Sequence, residues 1–243
     1  MQDLKLPEHL KKNIHQFSES LKELYQDNLV AIILYGSAAS GERIENHSNI
    51  NILIVLKKAD LPTLELSRKI IQKHSAKTIE PLFLSQDYVF NSLDVFPIEF
   101  LDMKENHSCL YGQDILKDIK IDLKNLKFQC EQELRSKFLL LKQHYLRVHP
   151  RDRAGLLKLL FKNFTSLMHI LKNVVRLKGK SPSTNKENLL KEISAELHVE
   201  TSALLKILQV SKTPSRIKVE DTHTLLSELI NNLEQIVIKV DRL

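Results

Sequence analysis

The chain has 243 residues, of which 42% are hydrophobic and 27% are charged, and this is the composition of an ordinary globular protein. Its net charge is +6, it contains no run of about eighteen apolar residues, and its first residues lack the apolar core of a secretion signal. Cys109 and Cys130 are the only cysteines and have no CxxC spacing, so a zinc site or a disulfide framework is not indicated. We therefore expect a cytoplasmic protein that has no membrane partner.

Helix and strand patterns alternate over the first 120 residues. Apolar residues at helical spacing predict an amphipathic helix over about 8–26. Two continuous apolar runs predict central strands that are covered on both faces, LVAIILYG ending at Gly36 and NINILIVL beginning at Asn49. The patterns that follow predict a helix at LPTLELSRKIIQKHSAK, a strand at IEPLFLS, a short helix at SQDYVFNSL and a strand at PIEFLDM.

The strand patterns stop after Ile121. Helices are expected over 122–148, 152–177, 186–197, 200–209 and about 220–240. The composition changes near 115–125, which we interpret as a domain boundary. The predicted architecture is an α/β domain with a mixed central sheet over 1–118, followed by an all-α helical bundle domain over 119–243.

The glycine that ends the first strand is followed by Ser37 and by other small residues. Glycine lets a phosphate approach the backbone closely, and the serine hydroxyl and nearby N–H groups can donate hydrogen bonds to it. Because a Gly-Ser pair after a strand is also common at ordinary turns, Gly36 and Ser37 alone indicate phosphate binding only weakly.

Three polar side chains suggest a metal site near that turn. Asn49 and Asn51 are two residues apart at the start of a strand, so they point to the same face. Glu99 lies between Ile98 and Phe100, where alternation points it away from its apolar neighbours. Two side chains from one strand and a third from another form the layout of a two-metal site. The ordinary alternatives are a turn capped by asparagine and an exposed edge-strand glutamate.

This stretch resembles the nucleotidyltransferase superfamily of the DNA polymerase β type, in particular the minimal and the aminoglycoside nucleotidyltransferases. Their signature is Gly-Ser, a short helix that carries a glycine, and Ser-Asp-Ile-Asp-Leu leading into an apolar strand, with a third carboxylate on a later strand. Gly36, Ser37 and Gly41 match this signature, and SNINI at 48–52 aligns with its acidic part. Glu99 is the best match for the third acid.

The resemblance covers roughly residues 28–105 and implies Mg²⁺ as a cofactor and a nucleotide as a ligand. In the family, both acids of the signature bind Mg²⁺, and two metals clamp the attacking and leaving oxygens of phosphoryl transfer. Asn49 and Asn51 replace these acids with uncharged amides. Each charge lost at about 4 Å from a cation removes roughly 4 kcal/mol at an effective dielectric of 20. The sequence therefore predicts a weakened or lost Mg²⁺-dependent site.

Three functions remain open at this point. The first is a nucleotidyltransferase-like protein that retains the phosphate-accepting turn and acts by binding a nucleotide or a protein partner. The second is an active nucleotidyltransferase that transfers a nucleoside monophosphate from a nucleoside triphosphate to a hydroxyl acceptor, with Mg²⁺ as its cofactor. The third is a partner protein in a two-component system of the toxin–antitoxin kind.

The long helix predicted over 152–177 carries a polar and mostly basic face, which we call the basic stripe. Its residues follow one another at spacings of three and four, namely Lys158, Lys162, Thr165, His169, Lys172 and Arg176. Residues 151–180 hold eight basic residues and one acidic residue, a net charge of +7. The stripe can contact the triphosphate of a nucleotide, RNA or an acidic partner, and a solvated helix face is the ordinary alternative.

The helical half also invites comparison with the HEPN domains that often accompany minimal nucleotidyltransferases. Their ribonuclease members carry an Arg-x(4–6)-His motif, which Arg68 with His74 and Arg216 with His223 match formally. Chance matches of so short a motif are expected in a chain of this composition. We predict no ribonuclease activity.

Overall fold

The computed structural model describes residues 6–40, 49–74, 79–214 and 217–243. The chain divides into two units, the first ending at Asp122 and the second beginning at Leu123. None of the helices in the described ranges combines the length and the apolar content that crossing a membrane requires.

Helix α1 (Glu8–Tyr25) opens the first unit and packs against one face of its sheet. Its buried apolar side chains repeat every three or four positions, namely Leu10, Ile14, Phe17, Leu21 and Tyr25. Pro7 precedes the first turn, where a missing N–H group costs no helical hydrogen bond. The prediction of an amphipathic helix over 8–26 is confirmed.

The described strands form a four-stranded sheet in the order β3-β2-β1-β4. Strands β1 (Leu29–Tyr35) and β2 (Ile50–Leu56) pair antiparallel at its centre, whereas β3 (Ile79–Ser85) is parallel to β2 and β4 (His107–Gly112) is antiparallel to β1. Side chains of β1 and β2 alternate between two buried clusters, one on each face, which is why both sequences are continuously apolar. The predicted fold class, with its mixed central sheet, is confirmed.

Short helices join these strands: α2 (Ser37–Ser40), α3 (Leu61–Glu65), α4 (Arg68–His74), α5 (Gln86–Asn91), α6 (Pro97–Glu105) and α7 (Ile115–Asp118). The segment after β2, which the pattern predicts as one helix, forms the two helices α3 and α4. Asp60 caps α3 by accepting a hydrogen bond from the Thr63 N–H group. The buried Ser67 hydroxyl then donates to the Leu64 carbonyl at the break between the helices.

The segment PIEFLDM is helix α6, so the prediction of a strand there is wrong. Pro97 occupies the first turn, where its fixed φ angle suits a helix and no N–H group is required. The strand that pairs with the outer side of β1 is β4, whose sequence HSCLYG lacks β-branched residues and therefore gives little strand signal. It ends at Gly112, where a Cβ atom would lie 2.0 Å from the carbonyl oxygen of Val30.

The described part of the second unit is helical: α8 (Leu123–Arg147), α9 (Arg153–Leu177), α10 (Lys186–Leu197), α11 (Ser202–Lys212) and α12 (Val219–Asp241). These bounds agree with the predicted helices to within a few residues. The side chains of Asp152 and Asn185 accept hydrogen bonds from N–H groups in the first turns of α9 and α10, which fixes where these helices begin.

Candidate functional site

Four side chains, one from each strand, line one end of the sheet in the first unit. Glu80 on β3 is in register with Asn51 on β2, Asn51 with Tyr35 on β1, and Tyr35 with His107 on β4. Residues in register on neighbouring strands point to the same face of a sheet. We call Glu80, Asn51, Tyr35 and His107 the polar row.

A hydrogen bond joins Asn49, directly before β2, to the β3 end of the polar row. Nδ2 of Asn49 donates to Oε1 of Glu80 over 2.5 Å. Burial raises the pKa of the Tyr35 hydroxyl, and the negative charge of Glu80 raises it further. The charge of Glu80 therefore acts on Tyr35 within the row, whereas the asparagine side chains are dipoles without net charge.

The other end of the polar row is held by the His107 ring. Its Nδ1 atom lies 2.8 Å from the Lys104 carbonyl oxygen, and its Nε2 atom lies 2.9 Å from Oδ1 of Asp114. Asp114 also caps α7 by accepting from the Lys117 N–H group. These contacts fix the start of β4 relative to α6, which precedes it, and to α7, which follows it.

The Gly36–Ser37 turn lies against the polar row. Gly36 has a φ angle of +76°, and a Cβ atom there would lie 3.3 Å from Nδ2 of Asn51. The Gly36 N–H group donates to the Asn106 carbonyl over 2.8 Å, and the Gly36 carbonyl accepts the first hydrogen bonds of α2. Both its backbone conformation and the nearby amide favour glycine at this position.

The structure places Gly36, Ser37, Asn49 and Asn51 at the same end of the sheet, on β1, β2 and the turns beside them. Ser37 is the first residue of α2 and is half-buried. Gly41, the third predicted nucleotide-binding residue, lies outside the described residues.

Glu99 is not part of the polar row. It lies exposed in the first turn of α6, so the prediction that a strand presents it as the third acid is wrong. The carboxylate beside Asn51 belongs to Glu80, in register on the parallel strand β3. The sequence pattern of IEPLFLS predicts this strand, and pairing its first residues with those of the Asn49–Asn51 strand would have identified Glu80.

These side chains do not fit a pair of Mg²⁺ ions. Glu80 offers one carboxylate, which already accepts a hydrogen bond from Asn49, and the two asparagines are neutral. In the ranges that the structure describes, no three His, Cys, Asp or Glu side chains are grouped so as to hold a metal ion. Mg²⁺ gives up its water ligands reluctantly and is bound through carboxylates and phosphate oxygens. Two further acids between Gly36 and Asn49 in the sequence, Glu42 and Glu45, lie outside the described ranges.

The basic stripe on α9 is exposed along only part of its length. Lys158, Lys162, Thr165 and His169 are exposed, and Lys172 is half-buried. Arg176, the last predicted member of the stripe, is buried, so its assignment to an exposed face is wrong.

Arg176 is only 9% exposed, because the carboxyl end of α9 is buried in the helical unit. Its Nη1 atom donates to Oδ1 of the buried Asn173 over 2.5 Å. Burial raises the pKa of the Cys130 thiol to about 12, while the nearby charge of Arg176 acts in the opposite direction. Arg176 therefore belongs to the interior of the helical unit.

The histidines of the two Arg-x-His matches have structural contacts. Nε2 of His223 donates to the Pro150 carbonyl over 2.8 Å, and its Nδ1 accepts from the Tyr145 hydroxyl over 2.9 Å. His74 is buried, with Nδ1 2.9 Å from Oδ1 of Asn13. Both side chains thus connect elements of their own unit.

Comparisons with known proteins agree with this fold. No protein-family model matches the chain. Over 94 residues, 39% of its length, the chain is 28% identical to a putative protein adenylyltransferase of Methanocaldococcus jannaschii, and the match covers 90% of that protein. The structure is similar to the spectinomycin adenyltransferase AAD(9) from Enterococcus faecialis, solved with ATP and spectinomycin, with a TM-score of 0.58 and 13% identity over 92% of this chain and 99% of that chain.

A nucleotidyltransferase-like protein from Exiguobacterium sibiricum also aligns with 92% of this chain and 74% of its own, at 11% identity and a TM-score of 0.40. The protein has the nucleotidyltransferase fold, and the resemblance to the nucleotidyltransferase superfamily is confirmed. The similarity in sequence to the putative protein adenylyltransferase is limited to 94 residues of the chain.

Proposed function

We propose that this protein binds a nucleoside triphosphate at the Gly36–Ser37 turn and has a weakened or lost capacity for Mg²⁺-dependent nucleotidyl transfer. The observation that carries the proposal is the Asn49–Glu80 hydrogen bond. It joins the single carboxylate of the polar row to a neutral amide at a position where the family has an acid. The turn retains a left-handed glycine and a serine hydroxyl, which suit a phosphate group.

The size of the electrostatic loss supports a weakened site. Two missing carboxylates each remove roughly 4 kcal/mol of attraction for a cation at about 4 Å. If other ligands recover half of that sum, metal affinity still falls by about a thousandfold. A glycine turn with a serine hydroxyl can hold a phosphate group without a metal, so nucleotide binding can persist when catalysis does not.

Calorimetric titration with ATP, CTP, GTP and UTP, each in Mg²⁺ and in EDTA, tests this function. We expect at least one nucleotide to bind equally well in both conditions. Ser37→Ala should weaken that binding, and the matched variant Ser136→Ala, on an exposed position of α8, should not. Binding that requires Mg²⁺, or no binding of any nucleotide, would contradict the proposal.

The second candidate is an active enzyme that transfers AMP from ATP to a hydroxyl acceptor on a protein. The observation in its favour is the 28% identity over 94 residues to a putative protein adenylyltransferase. Incubation with labelled ATP and Mg²⁺ separates the two functions. Label that becomes covalently attached to protein, and is lost in Glu80→Gln, would support the enzyme.

The exposed part of the basic stripe supports a further proposal, a contact with RNA or with an acidic protein partner. Lys158, Lys162 and His169 share an exposed face of α9 with the half-buried Lys172. Arg176 is removed from that face by its burial.

A further inference from the structure

Helix α8 exposes three large apolar side chains on the face opposite its packed side. Phe128, Leu139 and Leu146 are 68%, 62% and 83% exposed. With 3.6 residues per turn, spacings of eleven and seven residues return to almost the same direction, so the three lie in one line over about 27 Å. The buried side of α8, which includes Leu134 and Leu141, points roughly the other way. Exposed apolar side chains rimmed by polar ones are typical of a protein–protein contact.

The three apolar residues belong to a longer row in which steps of four and three residues alternate, as the positions that face a second helix do in a coiled coil. We call this row the α8 seam: Phe128, Gln132, Arg135, Leu139, Lys142 and Leu146. Helices α9 and α12 pack against α8 but leave every residue of the seam exposed. The seam therefore has the spacing that fits a further helix. Its apolar line is one residue wide and is interrupted by Gln132 and Arg135, whereas a helix lying on a lipid surface needs a broad apolar face.

The charges of α8 indicate what kind of helix fits. The two charged residues of the seam are both basic, and none of the exposed residues of α8, from Lys124 to Arg147, is Asp or Glu. The half-buried Glu131 lies 3.4 Å from Nζ of Lys127. Nη2 of Arg135 donates to Oδ1 of Asp241 over 3.0 Å, but both side chains are more than half exposed, and such a pair contributes little stability. The exposed face of α8 is thus complementary to negative charge.

We propose that the α8 seam docks an acidic amphipathic helix of a protein partner. Apolar side chains of that helix would pack against Phe128, Leu139 and Leu146, and its carboxylates would pair with Arg135 and Lys142. A second copy of this chain fits less well, because each α8 would bring its own basic residues to the contact and like charges oppose association. The inference rests on the second unit alone, so it does not depend on nucleotide binding, and the seam shares no residue with the basic stripe.

Fluorescence anisotropy with a labelled peptide tests the α8 seam. The acidic peptide has three heptads with leucine at a and d and glutamate at e and g, and a basic counterpart has lysine in place of each glutamate. We expect the acidic peptide to bind at least about tenfold more tightly than the basic one. Leu139→Gln with Leu146→Gln should weaken that binding by at least about tenfold. The matched control is Leu140→Gln, exposed on the same helix but outside the seam, and it should leave binding unchanged.

Charge reversal separates a specific contact from a general loss of structure. Arg135→Glu with Lys142→Glu should exchange the preference, so that the basic peptide binds more tightly than the acidic one. A variant that had merely unfolded would lose both peptides instead of exchanging them. The inference is overturned if the acidic peptide does not bind the wild type, if the leucine double variant binds it as tightly, or if charge reversal leaves the preference unchanged.

Two other occupants of the seam would also overturn the inference. One is a second copy of the chain, which sedimentation would detect as a dimer that Leu139→Gln with Leu146→Gln dissociates. The other is an anionic membrane, which phosphatidylglycerol vesicles would reveal if they bound the wild type but not that double variant. We expect neither result, because the seam is basic in every copy and its apolar line is narrow.

Discussion

The two parts of the candidate site, the Gly36–Ser37 turn and the Asn49–Glu80 corner, differ in what fixes them. The Gly36 turn keeps its left-handed backbone, a serine hydroxyl and a fixed position against the sheet. The Asn49–Glu80 corner keeps its place in the sheet but has one carboxylate. The backbone geometry is maintained by β1 and β2, whose side chains are buried on both faces of the sheet. The charge of the corner depends instead on the exposed side chain of Glu80. The side chains of the Asn49–Glu80 corner can therefore change without loss of the fold.

Introducing acids at Asn49 and Asn51 has the largest expected effect. Asn49→Asp combined with Asn51→Asp should raise Mg²⁺ affinity by at least about tenfold, since each carboxylate adds attraction for the cation. In EDTA the double variant should be less stable than the wild type, because three carboxylates then repel one another. Mg²⁺ should restore that stability, which thermal unfolding with and without the metal would measure.

Asn231→Asp, at an exposed position on α12, is the matched control for an added acid. It should change neither Mg²⁺ affinity nor the stability difference between the two conditions. If the double variant binds Mg²⁺ no better than the wild type, Asn49 and Asn51 do not correspond to the acids of the family signature.

The turn can be disrupted separately from the charged corner. Gly36→Ala forces an alanine to a φ angle of +76° and places its Cβ 3.3 Å from the Asn51 amide. We expect the free energy of unfolding to fall by about 1–3 kcal/mol, as denaturant titration would measure, and nucleotide affinity to fall with it. Gly179→Ala is the control, because Gly179 has a φ angle of +70° and a Cβ atom added there would meet no described atom within 4 Å.

The control separates backbone strain from crowding at the turn. Gly179→Ala should cost only the strain of the left-handed conformation, about 1–2 kcal/mol, and leave nucleotide affinity unchanged. An equal effect of both substitutions on nucleotide binding would show that the turn is not the phosphate site.

Charge reversal on α9 tests whether the basic stripe binds a partner. Lys158→Glu with Lys162→Glu should weaken binding to single-stranded RNA severalfold and reduce its dependence on salt, as fluorescence anisotropy at two salt concentrations would measure. Lys186→Glu, at an exposed position on α10, is the control for net charge. Equal losses in the double variant and the control would indicate a nonspecific effect of charge.

The sequence predicted the parts of the site that depend on local pattern. Continuous apolar runs predicted β1 and β2, and the two-residue period correctly placed Asn49 and Asn51 together. Glu80 was not predicted beside Asn51 because the partner of Asn51 depends on the parallel register of β2 with β3, which joins distant parts of the chain. Local alternation around Glu99 could not reveal it, and Pro97 favoured a helix there instead.

The same limit of local patterns explains why one residue of the basic stripe was wrongly predicted to be exposed. Spacings of three and four correctly predicted one helix face, since that periodicity is a local property of α9. Whether a position on the face is exposed depends on the neighbouring helices, which no local pattern specifies. Arg176 has the required spacing but is buried, and it donates a hydrogen bond to Asn173 within its own helix.

The smallest expected effect concerns the charge that remains in the polar row. Burial and the Glu80 carboxylate both raise the pKa of Tyr35 above its ordinary value of 10.0, so Glu80→Gln should lower that pKa while burial keeps it raised. Ultraviolet absorbance titration would measure this shift, with Tyr35→Phe identifying the signal among the five tyrosines.

Because the folded protein holds the Tyr35 proton more tightly than the unfolded chain, this residue's contribution to stability is complete below about pH 10 and is lost as the pH rises through the folded pKa. Tyr35→Phe should remove that part of the alkaline loss of stability. Glu80→Gln should reduce the loss of stability that Tyr35 causes at alkaline pH, because a neutral amide does not oppose the tyrosinate charge. If the titration of Tyr35 is the same with and without the Glu80 charge, the two side chains are not electrostatically coupled, and the polar row is a set of separate residues.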